Sequence, residues 1–566
     1  MGRLDYGTAG RGPNTAIMWP EQTELVSSRK RRPRGNRAAI STGSPLGPGL
    51  FALFCLACFY YVLRYAWVAE DAYITFRVVD NFINGYGLRW NVAERVQVYT
   101  HPLWLLLHCA FALFVGNIYR LTIVLSAICG IAAVVFLCRI AAASRWQRAV
   151  LVIAPLTLSR TFDDWVICGL ENPLSFLTIA WLVFEWFQPE QRFRLFRFYF
   201  IAALCLLTRL DNVVIIAPML AYTAWRYRRQ SLSFATVRAF SPLLAWSLFS
   251  LFYYGFVFPN TKYAKLNTGI PVSEYLEQGG HYLSSFFFYD FLGFMLIVGA
   301  IAIGLYRAVS MWRRRTVAPD QLRPALLALG CAAQVLYVLW VGGDFMNGRF
   351  LANAVFIAVA VVFDTCRRLP ASRSLALVPA LVAIALADHY VVRPSVKAPH
   401  DFSAHHGINN EREYYSPSTG LMSDPSRWFR LHPSGLQSSV IDEHGTAIPY
   451  VLGTIDQSRT CSSLTIDHFA TNGVGLLGYC VGPGTTIIDN MALTDPLLAR
   501  LPISDPAHWR IGHFYRATPA GYWQAIRTGD SSGMDPDLAA LWQRLRLVTA
   551  GNLWDVGRLK AILFNR

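Results

Sequence analysis

Charged side chains are scarce in this sequence: Asp, Glu, Lys and Arg supply 15% of its 566 residues, against 54% hydrophobic and 14% aromatic ones. Soluble domains carry about 25% charge, which excludes one ordinary soluble domain of this length. Acidic residues are scarcer still, 35 against 51 basic, for a formal charge of +16. That excess does not point to nucleic acid, because the basic residues sit in short clusters between apolar runs and no aromatic-interleaved soluble domain accompanies them. No internal repeat appears, and no low-complexity tract beyond the basic N-terminal segment. The first apolar run lacks a small-residue cleavage site, and the 47 residues before it are too long and polar for a signal peptide, so that run is expected to remain as an anchor. The eleven cysteines are read as lacking a C-x-x-C pair, so neither a zinc ribbon nor a thioredoxin-type site is expected, and most of them lie in apolar runs. Cys461 and Cys480, both in the C-terminal part, are candidates for a disulfide in an oxidising compartment.

What the sequence has in quantity is apolar length. Runs able to cross a hydrocarbon core of about 30 Å recur near 48–69, 120–141, 172–187, 239–257, 290–306, 324–341, 349–364 and 374–392. Shorter or interrupted runs lie at 102–116, 148–160 and 198–225. The predicted fold is therefore mainly α, a polytopic membrane helical bundle of roughly 10–12 spans. Basic clusters at 28–37, 226–230, 312–316 and 367–373 follow the positive-inside pattern and are expected on the cytoplasmic side. By alternation, 70–101, 258–289, 342–348 and the chain after Arg393 face outward. Clusters at 144–148 and 192–197 also look cytoplasmic, which leaves an odd number of crossings between 101 and 142. The short run 102–116 is accordingly expected to be re-entrant or interfacial. Residues 1–47 read as a basic, disordered cytoplasmic tail, 48–392 as the transmembrane domain with its first extracytoplasmic loop at 70–101, and 393–566 as a small extracytoplasmic α/β domain. Short β-rich runs such as "GTTIID" (484–489) alternate with turn signals in that last part.

Chemistry concentrates where the first apolar run ends. "AWVAEDAYITFR" (66–77) places Glu70 and Asp71 at the membrane edge. Tyr73, Ile74, Phe76, Val79, Phe82 and Ile83 then recur at helical spacing, predicting an amphipathic helix on the membrane surface. "THPLW" (100–104) reads as a Thr100 cap with a proline early in the next helix. An enzyme acting on a lipid-linked substrate here needs a carboxylate to take a proton and cations to hold a departing phosphate. Asp71 and Glu70 offer the first; Arg349, Lys265, Lys262 and Arg209 offer the second. Asp344 shares the predicted face of Arg349 in "VGGDFMNGRF" (341–350), and charges at membrane depth are functional candidates by default. Simpler readings compete: Glu70 as a helix end in water, Asp344 and Arg349 as a self-satisfying pair, and Lys262 and Lys265 as interfacial anchors.

These residues also carry a resemblance. The stretch 70–104, with its acidic pair, "GYGL", "NVAERV" and "YTHPLW", is similar to the first-loop signature of GT-C membrane glycosyltransferases. Among these it is most like the actinobacterial terminal arabinofuranosyltransferases. "CGLENPL" (168–174), "TRLDN" (208–212), "PNTKYAK" (259–265), "VGGDFMNGRFL" (341–351), "DPLLARLP" (495–502) and "WRIGH" (509–513) follow in the same order, so the resemblance spans about 50–523. It implies a GT-C fold and an active site on the extracytoplasmic face of the bacterial inner membrane. The implied donor is a polyprenyl-phosphate-linked sugar, arabinofuranose or a relative, and the implied acceptor a cell-envelope glycan or glycoconjugate; nucleic acid is not a partner. Asp71 would then be the catalytic base with Glu70 beside it, and Arg349 and Lys265 would meet the donor phosphate; Lys262 and Arg209 stand as further phosphate candidates by their position, and Tyr99, His101, Glu171 and Asp344 as candidate substrate contacts. No metal ligand set is assigned, although a divalent cation between Asp71 and the phosphate is compatible with the chemistry. The sequence departs from the pattern at Glu70, where an aspartate is usual, and at His101, where a serine is. A membrane transporter or flippase for a lipid-linked sugar is the rival reading; it predicts paired broken helices in two similar halves, which the sequence does not show.

Overall fold

The computed structural model describes residues 46–140, 146–231, 233–266, 268–366, 383, 405–423, 436–452, 464 and 466–564. Apart from its last two residues the expected basic tail falls outside that set, as do Cys461 and all of the 374–392 run except position 383. Pro48–Arg566 forms one compact unit, mostly helical, with a small sheet near its C-terminal end.

Three helices among the described residues are long and apolar enough to cross a membrane: Ile118–Ile140, Phe291–Arg314 and Pro319–Trp340. On the first of them Val124, Ile128, Ile131 and Val135 are 42–57% exposed, at spacings of four, three and four residues. Such a stripe, uncovered by protein, suits lipid and would be costly in water. Among the described residues, several other predicted runs form shorter helices, such as Ser241–Tyr254 in the 239–257 run. The 198–225 run divides at Arg209–Asp211 into Leu195–Thr208 and Asn212–Arg226, because those polar residues are drawn into the cavity described below. Helix Pro102–Ala112, which heads the run expected to be re-entrant or interfacial, has 11 residues. That is about 16 Å at 1.5 Å per residue, well short of the hydrocarbon thickness. Cys55 and Cys58 do have C-x-x-C spacing, but they lie one turn apart on the apolar helix Leu46–Arg64 and both are free thiols.

The sheet has four strands, β1 (Leu436–Ile441), β2 (Ala447–Leu452), β3 (His468–Thr471) and β4 (Thr486–Asp489), in the order β2-β1-β3-β4. β1 and β2 make an antiparallel hairpin whose turn is held by Asp442 Oδ1, which accepts from the amides of His444 and Thr446. β3 and β4 are parallel, joined by helix Leu476–Val481. Cys480 on that helix is buried and disulfide-bonded.

The first loop is folded into protein. Helix Ala72–Ile83 forms as its spacing predicts, yet nine of its twelve residues are buried, Arg77 among them. Helices Pro102–Ala112 and Leu476–Val481 pack on it, so protein rather than lipid covers most of the face expected on a membrane surface. The Arg77 guanidinium donates to the carbonyls of Trp90 (2.8 Å), Gly478 (2.5 Å) and Thr485 (2.7 Å), so a buried cation stitches this loop to the sheet region. Asn91 exchanges two hydrogen bonds with Ile487 of β4. Thr100 is not a helix cap; His101 takes the N-cap position of Pro102–Ala112 without a side-chain bond to that helix, and Pro102 opens it.

Candidate active site

Two short segments deliver the acidic pair. The amides of Trp67 and Ala69 donate to the carbonyls of Ile167 and Cys168, and the Trp67 indole donates to Asp164 O at 2.7 Å, fixing the chain just before Glu70. Asp71 then takes the N-cap position of helix Ala72–Ile83 but makes no capping bond with its side chain. Its carboxylate is left for the cavity, at a helix end whose dipole favours negative charge. Glu70 has a different fate. Its Oε1 accepts from the amides of Gly475 (2.6 Å) and Leu476 (3.0 Å), tying the loop to the start of helix Leu476–Val481. Burial, then the neighbouring Asp71 charge, push the Glu70 carboxyl up to about 7.

The cavity in front of Asp71 measures about 430 Å³. Asp71, Tyr99, His101, Arg209, Lys262, Lys265, Asp344 and Arg349 all line it; of the ten residues singled out in the sequence, only Glu70 and Glu171 do not. Its wall also includes Thr75, Asp211, Phe258, Tyr337 and Phe350. Arg349 follows Gly348, which has φ +76°; a Cβ there would stand 2.7 Å from Tyr289 Cε1 and 2.9 Å from Thr161 Oγ1. Glycine is thus needed for the turn that swings Arg349 inward. Arg349 Nη1 lies 3.9 Å from Asp71 Oδ2 and 3.9 Å from Asp344 Oδ2. Burial raises the Asp344 carboxyl, against the pull of Arg349 and Lys265.

Lys262 and Lys265 come from helix Asn260–Leu266. That helix is anchored by the Asn260 amide, which donates to the carbonyls of Ala492, Leu493 and Asp495. Lys262 Nζ sits 3.6 Å from the centre of the Phe258 ring, and among the described residues neither lysine has a carboxylate within ion-pair distance. Both ammonium groups are therefore available to an anion. Leu266, Leu210 and Phe258 at the same cavity are 72%, 43% and 40% exposed, so an apolar rim adjoins the cations.

Two residues nominated from sequence as substrate contacts are placed differently. Glu171 stands behind the wall, fully buried, with Arg209 Nη1 at 2.6 Å, Arg349 Nη2 at 3.1 Å and His101 Nδ1 at 3.2 Å. Burial raises its pKa, but Arg349, His101 and Arg209 outweigh that and hold the carboxyl well below the usual range. Tyr99 lines the cavity but is buried, and its hydroxyl is taken up by that of Tyr254 at 2.6 Å. Glu70, nominated as catalytic, is spent on the two amides described above. Asp211 was missed, although it lies two residues from Arg209 inside "TRLDN"; it binds that guanidinium at 2.8 and 2.5 Å. Glu411, 4% exposed, was missed as well. Burial and the charges of Asp71 and Glu70 raise its carboxyl well above the ordinary range, and nothing in its local sequence marks it. Among the described residues no three His, Cys, Asp or Glu side chains converge as a metal-binding group.

No family model matches the chain. It is 26% identical to the terminal β-(1→2)-arabinofuranosyltransferase of Mycobacterium tuberculosis, over an alignment covering 79% of this chain and 80% of the relative. The protein of the same description from Corynebacterium glutamicum is 25% identical, with 51% of this chain and 46% of the relative covered. Among solved structures, ArnT from Cupriavidus metallidurans bound to undecaprenyl phosphate aligns at a TM-score of 0.43 and 15% identity, covering 66% of this chain and 69% of that one; at that distance it carries no inference. Over most of its length, then, this chain is a sequence relative of the actinobacterial terminal arabinofuranosyltransferases, the group its first-loop motifs resemble.

Proposed function

We propose that the protein is a multi-pass membrane glycosyltransferase that takes arabinofuranose, or a closely related sugar, from a polyprenyl phosphate and transfers it to a cell-envelope glycan on the extracytoplasmic side. The observation that carries this reading is the cavity, where the Asp71 carboxylate faces Arg349, Arg209, Lys262 and Lys265 across one space with an apolar rim. In the proposed step Asp71 removes the proton of an acceptor hydroxyl as that oxygen bonds to the anomeric carbon. The bond from that carbon to the phosphate oxygen breaks with its electron pair, and polyprenyl phosphate leaves. The proton rests on Asp71 and is later lost to water.

The phosphate goes from one negative charge as a diester toward two as it departs, so fixed cations bind the transition state better than the ground state. One well-placed donor of this kind contributes about 2.7–4 kcal/mol. No protonated leaving-group partner is required, because the phosphate is already stable as an anion. On this reading Lys262 and Lys265 of helix Asn260–Leu266, with Arg349 and Arg209, are the side chains that meet the departing phosphate.

Purified protein in lipid nanodiscs, given several polyprenyl-phosphoryl sugars and a short arabinan acceptor, should consume an arabinofuranosyl donor and lengthen the acceptor. Indifference to every donor, with acceptor unchanged, counts against the reading.

A further inference from the structure

Glu171 belongs to no surface that a substrate can reach, yet it organises most of those that a substrate would touch. Its side chain is 0% exposed. One oxygen, Oε1, is shared by Arg209 Nη1 and Arg349 Nη2; the other, Oε2, lies 3.2 Å from His101 Nδ1. The far nitrogen of His101 is 2.8 Å from Thr75 Oγ1, and Thr75 stands one helical turn beyond Asp71. From Glu171 a contiguous set of contacts thus runs in one direction to the helix bearing Asp71 and in the other to the two guanidiniums facing it.

We propose that Glu171 is a positioning residue which holds Arg209 and Arg349 apart from Asp71 at the spacing transfer requires; this rests on the glycosyltransferase reading above. Two guanidiniums within 3.1 Å of one oxygen repel each other, and a shared buried carboxylate is what allows that geometry. Arg349 is the sensitive member. Its other terminal nitrogen is already 3.9 Å from Asp71, near the limit of an ion pair. With Glu171 pulling on Nη2, Arg349 stays at that distance and serves the phosphate. Without that pull it closes on Asp71 and quenches the base.

Charge and shape are separable here by Glu171→Gln, which keeps an acceptor oxygen for the arginines but removes the negative charge. The cavity then becomes more positive by one charge, so an anionic head group should bind at least as well while the base loses its freedom. The expected result is a fall in kcat of about tenfold or more, with the Kd for polyprenyl phosphate, used as the probe, within about threefold of wild type or tighter. A residue that merely supports the fold would move both together with the Tm. A kcat within about threefold of wild type overturns the proposal, and so does a weakening of probe binding that parallels the loss of kcat. Should Glu171→Gln fail to fold, Glu171→Asp keeps the charge but draws it back from both arginines, and a kcat within about threefold of wild type, or a loss of probe binding that parallels the loss of kcat, overturns the proposal there too; failure of both to fold makes the residue structural and overturns the positioning role. Wild-type protein that turns over no donor overturns the transferase reading, and the positioning role with it. Wild-type turnover alongside an unaffected variant overturns the role of Glu171 alone.

Discussion

Glu70 and Asp71 are neighbours of the same chemical type, and the fold gives them opposite tasks. Asp71 spends nothing on capping its helix and faces the cations, so Asp71→Asn should lower transfer by about 10²–10⁴-fold while polyprenyl phosphate binding persists. A radiolabelled-donor assay paired with a lipid-binding measurement checks both halves of that outcome. Glu70 holds two amides and has its carboxyl raised from 4.5 to about 7 by burial and by Asp71. Between those values the native state binds the proton and the unfolded chain does not. Its contribution to stability is therefore full below about pH 4.5 and lost as pH rises through about 7. Glu70→Gln keeps an oxygen for the amides of Gly475 and Leu476 but cannot titrate. Thermal unfolding in detergent across that range should show a Tm that falls with rising pH more steeply in wild type than in the variant.

At the scale of elements, the site depends on short turns between helices rather than on the helices themselves. Arg209 and Asp211 occupy a break between two apolar helices, and Arg349 follows a glycine whose positive φ a larger residue resists. Gly348→Ala should cost about 1–3 kcal/mol in backbone strain, add a contact with Tyr289 and Thr161, and displace Arg349. Weaker polyprenyl phosphate binding together with a lower Tm would verify it. Helix Ala72–Ile83 depends on Arg77 in the same way. Arg77→Met would leave the carbonyls of Trp90, Gly478 and Thr485 without that donor, each at about 1–3 kcal/mol if left dry, and a large drop in the yield of folded protein is the expected readout.

The whole molecule joins its first loop to its last third at many points: Glu70 to Gly475, Arg77 to Thr485, Asn91 to Ile487, and Arg95 to Thr549 and Gly551. A chain truncated at Arg393 should therefore lose not only an outer layer but the order of the loop that presents Asp71. Size-exclusion chromatography and limited proteolysis between 70 and 101 would show cleavage that the full chain resists; an intact, monodisperse truncation would contradict this. Apolar length made the helical character legible in the sequence, and the scarcity of intramembrane charge made Asp71, Arg209 and Arg349 stand out. Lys262 and Lys265 were visible as candidates for the phosphate or as interfacial anchors. Glu171 was legible only as a candidate contact in "CGLENPL", and neither its role as a hub nor the burial of Glu411 was, because both depend on partners distant in the chain. Composition and spacing by themselves determined that this is a helical membrane protein with an acidic pair just past its first apolar run, since burial of apolar length and the cost of buried charge act locally along the chain. Only the tertiary structure decided which carboxylate meets the cations and which ties the loop down, because that choice depends on amides and guanidiniums brought from as far as 406 residues away.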